Sequence, residues 1–484
     1  MIRFGRSLLV VSVTAVLAAC TMGPDYKRPD VPLPDAYRSE LAEGPSMANL
    51  DWWELFNDPE LIELIETALT NNRELAAALA RIEEARASLG FVRADQLPNL
   101  SGSAGASRGD PAPGGGIPGE VDNTFVLAAD LNFEVDLWGK LRRSTEAARA
   151  ELLATVEARN AVTLTLVADV ASIYLLLLDL DDRVEIAERT RKTREDALKL
   201  IEARFDRGIV PLIDVNQAQI ELADAAAEKF ALERQRALAE NSLSVLLGRN
   251  PGPVQRSLDN PVSALNIPAI PAGLPSELLQ RRPDIRQASQ QLAAQTARIG
   301  VAEALRFPSL SLTGTLGLAS DDLSGFISSD NRVWGISANL LGPLFDAGRN
   351  RSRVEAERAR TEQLLNAYQL TVLRSLQEVD DALVEIATYR QEAEAREMQV
   401  RAASSAAMLS RARYDGGVTS YLEVLESERS LFRAELLASS TRRAQVVAIV
   451  SLYKALGGGW ATEDEIQAAG GFIEANIPPA SGTP

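Results

Sequence analysis

Ala203-Arg204-Phe205-Asp206-Arg207-Gly208-Ile209-Val210-Pro211-Leu212-Ile213-Asp214-Val215 returns 209 residues later as Ala412-Arg413-Tyr414-Asp415-Gly416-Gly417-Val418-Thr419-Ser420-Tyr421-Leu422-Glu423-Val424. The echo extends well beyond this stretch. Leu97-Pro98-Asn99-Leu100-Ser101 reappears as Phe307-Pro308-Ser309-Leu310-Ser311, and Asn72-Arg73-Glu74-Leu75 lines up with Arg282-Pro283-Asp284-Ile285. A near-constant offset over most of the chain predicts two copies of one structural unit. The period is far too long for a short-repeat solenoid. It fits a duplicated membrane or barrel-forming unit with a pseudo-symmetry axis between the halves.

Each copy contains one very long run without breakers. Residues 141–207 hold neither Gly nor Pro, and the same is true of residues 349–415. If helical throughout, each run would extend roughly 100 Å at 1.5 Å per residue. Such lengths predict a coiled coil or a helical tube rather than a globular core. Shorter return runs follow at 212–247 and 418–456. Ala223, Ala225, Ala226 and Ala227 would let helices approach closely, while Glu221, Asp224 and Glu228 in the same segment read as solvated faces beside an apolar seam. Residues 161–178 are strongly apolar, with only Asp169 charged, and alone would pass for a transmembrane helix. Their counterpart, 370–387, carries Arg374, Glu378, Asp380, Asp381 and Glu385. Copies of one unit share an environment, so a packed helix pair is expected instead.

The membrane signal lies in alternation. Val121, Phe125, Leu127, Ala129, Leu131, Phe133 and Val135 are apolar, whereas Asp122, Thr124, Asp130, Asn132, Glu134 and Asp136 occupy the intervening positions. Period two gives one apolar and one acidic face. Residues 309–316 and 331–344 alternate likewise, and 99–106 more weakly. Strands of ~9–11 residues suffice to cross a bilayer when tilted. The strands pair as hairpins around a Pro- and Gly-rich loop at 108–120 and a Ser- and Asp-rich loop at 320–330. Long polar loops suit the extracellular rim of an outer-membrane barrel. Four strands cannot enclose a channel, and a lipid-exposed edge is forbidden. They must therefore join strands of other subunits, and three copies supply twelve. Pro251, Pro253, Pro261, Pro268, Pro271 and Pro275 mark the linker between the repeats.

A soluble half-buried sheet would explain the alternation equally well but for the N-terminus. Arg3 and Arg6 precede a short apolar stretch at 8–16, and Leu17-Ala18-Ala19-Cys20 follows. This is the pattern of a signal peptide ending in a bacterial lipobox, with cleavage before Cys20 and diacylglycerol on its sulfur. Cys20 is the only cysteine, so an intramolecular disulfide is ruled out. Thr21 is not the Asp that retains lipoproteins at the inner membrane, which points to the outer one. The net charge of −17 disfavours nucleic acid as a partner. The chain has no histidine, the commonest metal ligand and general base. It has no CxxC, Gly-x-Ser-x-Gly or phosphate-binding loop, since Gly114-Gly115-Gly116 lacks a following Lys-Ser/Thr. No enzymatic activity, metal or cofactor is expected, apart from the covalent lipid on Cys20.

Three motifs carry a family resemblance. They are Cys20-Thr21-Met22-Gly23-Pro24-Asp25-Tyr26-Lys27-Arg28-Pro29; Trp52-Trp53 with Phe56, Asp58-Pro59 and Leu61; and Leu452-Tyr453-Lys454-Ala455-Leu456-Gly457-Gly458-Gly459-Trp460. With them the chain resembles the outer membrane factor family, the TolC-like exit ducts of tripartite efflux pumps and type I secretion. It looks closest to the lipoprotein branch that serves RND multidrug pumps, the NodT-type efflux lipoproteins. The resemblance spans nearly all of the mature chain. It implies a mixed α/β membrane protein: a homotrimeric twelve-stranded outer-membrane β-barrel, four strands per chain, continued by a long periplasmic α-helical barrel, with an internal two-fold repeat. The implied divisions are a signal peptide at 1–19 and a lipidated segment at 20–58 wrapping the equatorial region. Repeat 1 follows at 59–249, with its β-hairpin near 98–136 and its tip at 208. An equatorial linker at 250–275 leads to repeat 2 at 276–456, with its hairpin near 308–345 and its tip at 417, and then to an equatorial tail at 457–484. The implied partners are the chain itself as a homotrimer, a periplasmic adaptor (membrane fusion) protein, an inner-membrane RND pump and outer-membrane lipid.

The function so implied is passive export of drugs or other small toxic compounds, with no chemistry in the duct. The acidic strand face suggests a lumen that favours cations. A type I protein-secretion duct shares the fold, and a lipid-anchored periplasmic coiled-coil adaptor shares the long hairpins without the strands or the full-length duplication. The resemblance makes Arg204-Phe205-Asp206-Arg207-Gly208 and Arg413-Tyr414-Asp415-Gly416-Gly417 the periplasmic tip turns that meet the adaptor. Gly208 and Gly417 would supply the positive φ that such a reversal needs. By position, Glu423 and Glu426 fall on acidic rings, Leu422 on a hydrophobic constriction and Arg429 on its nearby arginine. Asp214 and Tyr414 match a pair that ties the two hairpins shut. Relatives usually carry Asp at the ring, and Thr419 stands where one branch has a latching arginine, which implies a looser latch. Arg429, one turn from Glu426, is expected to compensate the ring carboxylates. Without the resemblance, Glu423 and Glu426 would read as a solvated helix face.

Overall fold

The structure is a computed structural model, and it describes residues 21–34, 36–37, 58–109, 122–257 and 278–458. Cys20, Trp52-Trp53, Phe56, most of the first hairpin loop, most of the linker and Gly459-Trp460 lie outside the described residues. The first repeat runs α1 (Pro59–Asn71), α2 (Arg73–Ala94), β1 (Asn99–Gly109), β2 (Asp122–Val135), α3 (Lys140–Asp206) and α4 (Leu212–Leu246). The second begins with a short α5 (Leu278–Arg281) and runs α6 (Pro283–Ala304), β3 (Ser309–Ser320), β4 (Arg332–Leu341), α7 (Arg349–Asp415) and α8 (Tyr421–Ala455).

The duplication is visible in single hydrogen bonds. α3 and α7 are both 67 residues long, and α4 and α8 both 35. At the end of α4, Asn72 Nδ2 donates to the Leu246 carbonyl at 2.9 Å. At the end of α8, Arg282 Nη1 donates to the Ala455 carbonyl at 2.8 Å. An amide and a guanidinium thus do the same work, satisfying a carbonyl that the helix itself leaves without a donor. The reversals that follow are also matched. Gly248 and Gly457 take φ of +69° and +93°, and Arg249 and Gly458 donate to Ser244 and Tyr453 carbonyls at 3.0 and 3.1 Å. These are left-handed helix caps of the Schellman type.

The four strands form one antiparallel sheet in the order β1-β2-β3-β4, with the two repeats meeting at β2 and β3. Its register turns alternation into continuous rows. Leu100, Leu131, Gly314 and Ile336 stand opposite one another in an apolar row. The neighbouring row is Asn99, Asn132, Thr313 and Ser337, and the row on the other side contains Ser101, Asp130 and Thr315. Side chains in adjacent rows point to opposite faces. On the polar face Asp130 accepts from Ser103 at 3.2 Å and Thr315 at 2.7 Å, and Thr313 shares a hydrogen bond with Ser337 at 2.6 Å. On the apolar face Trp334 and Ile336 are 76% and 82% exposed, far too open for a soluble sheet. Among the described residues β1 pairs only with β2 and β4 only with β3, so the sheet keeps two open edges within one chain.

Packing divides the chain into two compact units, each drawn from both repeats. The first takes the described residues of 1–31, 80–157 and 287–370, including the sheet. In it Leu89 of α2 packs on Ala148 and Leu152 of α3, with Ile82, Ala85 and Val92 alongside. The second takes the described residues of 32–79, 158–286 and 371–484. It encloses the apolar run on α3: Val170, Ala171, Tyr174, Leu175 and Leu177 are all no more than 1% exposed. This run is a packed interior helix, as its charged counterpart on α7 required. α1 closes over it. Asp58 caps α1 through the Glu60 and Leu61 amides at 3.0 and 3.3 Å and accepts the Tyr174 hydroxyl at 2.7 Å. Leu61, Leu64, Ile65 and Ala68 then follow helical spacing into the interior.

The Gly248 cap gives a direct test. A Cβ there would lie 2.2 Å from the Asn71 carbonyl oxygen, in a left-handed backbone. Gly248→Ala is expected to destabilise the fold by ~2 kcal/mol or more. Gly252→Ala, where a Cβ meets nothing within 4 Å, should be close to neutral. Thermal unfolding of the two purified variants decides it, and equal midpoints would contradict the cap.

Candidate functional site: the paired hairpin tips

Both long helices reverse by one device. After α3, Gly208 at φ +69° donates to the Phe205 carbonyl at 2.8 Å, and Ile209 to that of Arg204 at 2.9 Å. After α7, Gly417 at φ +74° donates to Tyr414 at 3.0 Å, and Val418 to Arg413 at 2.9 Å. A Cβ at either glycine would meet nothing, so the backbone conformation alone selects glycine. Pro211 and Ser420 then stand at the N-caps of α4 and α8.

The two hairpins pack together through an apolar cluster. Ile201, Val215 and Ala218 from the first hairpin meet Tyr421, Val424 and Leu425 from the second, with Leu198, Val210 and Tyr414 at the margin. Tyr414 stacks obliquely on Tyr421 at 5.4 Å and lies under the Arg204 guanidinium at 5.0 Å. Arg204 also reaches Asp415 at 3.4 Å. This arrangement corrects one expectation. The buried Tyr414 hydroxyl has no hydrogen-bond partner among the described residues, so the expected Asp214–Tyr414 bond is not made. The ring is drawn into the cluster and under Arg204, which takes its hydroxyl away from the carboxylate. Burial alone holds Asp214 above the ordinary aspartate range.

Leu422, Glu426 and Arg429 form an exposed stripe on α8, opposite the buried Tyr421, Val424 and Leu425. Glu423, next to the stripe, belongs to its own turn: it accepts the Thr419 hydroxyl and pairs with Arg413 at 3.3 Å. Arg429 departs from expectation. Its primary partner is Glu221 on α4, reached by Nε at 2.5 Å, and Glu426 acts on it only at longer range. Glu221 was expected on a solvated face, yet its side chain is 3% exposed. Its other oxygen takes Arg194 Nη2 of α3 at 3.2 Å, and Arg194 Nη1 donates to the Glu221 carbonyl at 2.7 Å. The Arg194 guanidinium lies 5.2 Å above the Phe432 ring of α8. A carboxylate shielded from water attracts guanidinium groups more strongly than an exposed one does. That outweighs the sequence proximity of Glu426.

Sequence reasoning missed Arg194 and Glu428 and misplaced Glu221. The only signal was that Glu221 lies three residues beyond Ala218 and six beyond Val215, on the face that turns inward. Burial pushes Glu428 up. Arg411, 3.6 Å away, and Arg194 oppose this, while Glu221 reinforces it.

Comparison with known proteins places this fold. The family model described as Outer membrane efflux protein matches residues 64–249 and again 274–458. The chain belongs to this family. Outer membrane protein OprJ of Pseudomonas aeruginosa is 36% identical over 471 residues, which cover 94% of this chain and 96% of OprJ. The toluene efflux pump outer membrane protein TtgC of Pseudomonas putida is 33% identical over 466 residues, 94% of this chain and 96% of TtgC. The crystal structure of the open state of the Neisseria gonorrhoeae MtrE outer membrane channel superposes with a TM-score of 0.82. It has 32% sequence identity and covers 91% of this chain and 98% of MtrE. The fold is that of an outer-membrane efflux channel: long paired helical hairpins with a small four-stranded antiparallel sheet.

Glu428 supplies a pH test. Its raised pKa means that the folded state holds the proton more tightly than the unfolded chain does. The charged form therefore costs stability above the raised pKa, and the cost vanishes as pH falls through it. Glu428→Gln is expected to raise the unfolding midpoint at about pH 7.5, with the advantage closing by about pH 4. An advantage of constant size across that range would show that the carboxyl does not titrate as a buried group.

Proposed function

We propose that this chain is the outer-membrane exit duct of a tripartite efflux system. Three copies would combine their four-stranded sheets into a twelve-stranded barrel. The long helical hairpins would continue the passage into the periplasm. The sheet carries this reading. It has a mostly apolar face, a mostly polar face and, among the described residues, two unpaired edges, in a chain of an outer-membrane efflux family. Pairing β1 of one copy with β4 of the next would satisfy every edge N–H and C=O that hydrocarbon cannot.

Cys20 would carry the diacylglycerol anchor on the outer membrane. Glycine-capped tips at Gly208 and Gly417 would receive the periplasmic adaptor, which links the duct to an inner-membrane RND pump. The stripe of Leu422, Glu426 and Arg429 would form rings around the three-fold axis at the constriction, with Glu423 beside it. Tyr414 and Asp214 flank the contact between hairpins. The cargo would be drugs, solvents or other small toxic compounds, in keeping with relatives named for antibiotic and toluene efflux.

The protein purified in detergent is expected to have the mass of three chains. It should conduct ions in a planar bilayer, and Glu426→Gln should weaken block by multivalent cations. A monodisperse monomer, or a trimer whose cation block ignores Glu426, would sink the corresponding part of this reading.

Lipidation is tested separately. Palmitate labelling should be lost in Cys20→Ser, and equal labelling of both proteins would remove the lipobox. Export is expected to survive the change, because lipid alone anchors only modestly.

A further inference from the structure

The arm that follows Cys20 is built into the margin where the sheet gives way to helices. Thr21 rests on Gly139, where a Cβ would lie 2.7 Å from its Cγ2. Met22 N–H donates to the Trp138 carbonyl at 3.1 Å. Trp138 follows β2, and its Nε1–H donates to the Pro308 carbonyl, just before β3, at 2.7 Å. Its ring stacks on Phe307 at 4.7 Å. β2 and β3 are the strands by which the two repeats meet. Arm, Trp138 and Pro308 therefore form one hydrogen-bonded chain across the seam between repeats.

Arg143, in the first turn of α3, holds the arm in place. Its side chain is 5% exposed. Nε donates to the Met22 carbonyl at 3.1 Å, and Nη2 to the Gly23 carbonyl at 3.2 Å and Asp25 Oδ1 at 2.7 Å. Nη1 is anchored by Glu146 at 2.7 Å. The opposite wall is α6, against which the arm lies backbone to backbone. A Cβ on Gly23, at φ +87°, would sit 2.4 Å from Gly300 Cα, and one on Gly300 would sit 2.5 Å from the Met22 oxygen. Beyond this, Tyr26 shares a hydrogen bond with Ser289 of α6 at 2.8 Å, and Arg28 Nε donates to the Tyr368 hydroxyl of α7 at 3.4 Å.

We infer that the arm is a staple of the inter-repeat seam, with Arg143 as its positioning residue. The staple keeps the two β-hairpins together at their helix-side ends. It also fixes the point from which the lipid on Cys20 departs; this last consequence rests on the lipidation reading, the rest does not. An arm tethered only through its lipid would need neither a buried guanidinium engaged by four oxygens nor two glycines in backbone contact. Lysine keeps the charge of Arg143 but not its fork of donors.

Hydrogen exchange of the full-length protein in detergent tests the staple, with intact mass reporting the lipid separately. Arg143→Ala is expected to speed exchange at least about tenfold in peptides covering 21–31 and 134–141, and to leave the tip at 198–215 unchanged. Arg143→Lys should release the arm to a similar degree. Gly23→Ala breaks the arm's contact with α6 while leaving the Arg143 side chain in place, so it reports even if Arg143→Ala folds poorly, and it should give the same release. Cys20→Ser should stay within about twofold of wild type. An arm that stays protected in both Arg143→Ala and Gly23→Ala, or one that only Cys20→Ser releases, overturns the inference. If the wild type carries no lipid and Arg143→Ala still gives the tenfold release, the staple is supported and only the lipidation reading is removed.

Discussion

β1 and β4 each present a row of backbone N–H and C=O groups that nothing among the described residues satisfies, and hydrocarbon offers them no water. Each such group left unpaired in an apolar medium costs several kcal/mol. One chain therefore cannot place its sheet in a membrane alone. The other features of the sheet agree with that constraint. Its rows alternate across all four strands, so one face is mostly apolar and the other mostly polar. The duplication makes the two hairpins near-equivalents, so that copies arranged around an axis place similar strands side by side throughout. The matched lengths of α3 and α7, and of α4 and α8, carry this equivalence into the helices.

A second constraint operates at the tips. Glu221 is a buried carboxylate between Arg194 of its own repeat and Arg429 of the other. Removing one partner from a buried ion pair leaves an uncompensated charge, which is far more costly than removing an exposed pair. The two hairpins are thereby joined by a polar contact set above an apolar one. Arg429 belongs at once to the exposed stripe on α8 and to this buried contact. What the stripe presents is consequently coupled to how the hairpins of one chain pack.

Much of this was legible in residues. Period-two alternation located the four strands, because the side-chain period of a strand is fixed by its pleat. Unbroken runs located α3 and α7, because only Gly and Pro interrupt a helix cheaply. Gly208 and Gly417 located the tips, because a left-handed cap strains any other side chain. The charged counterpart of the apolar run on α3 argued correctly that both are packed helices. The failures were two pairings and one burial. Tyr414 was expected to bond Asp214 and instead lies in the apolar cluster with its hydroxyl unpartnered. Arg429 was expected beside Glu426 and turns to Glu221. Glu221 was expected in water and is buried.

The sequence by itself determined which segments are helix, strand or turn, and that they occur twice. These depend on φ preferences and on the spacing of apolar residues, both local properties of the chain. Only the tertiary structure decided which charges meet. Helical periodicity names the face a side chain occupies but not the helix that covers that face, and the covering helix sets the local dielectric. Glu221 and Glu426 are chemically identical groups. One is closed off by α3 and α8 and the other left open, and that difference in burial settles which of them Arg429 holds.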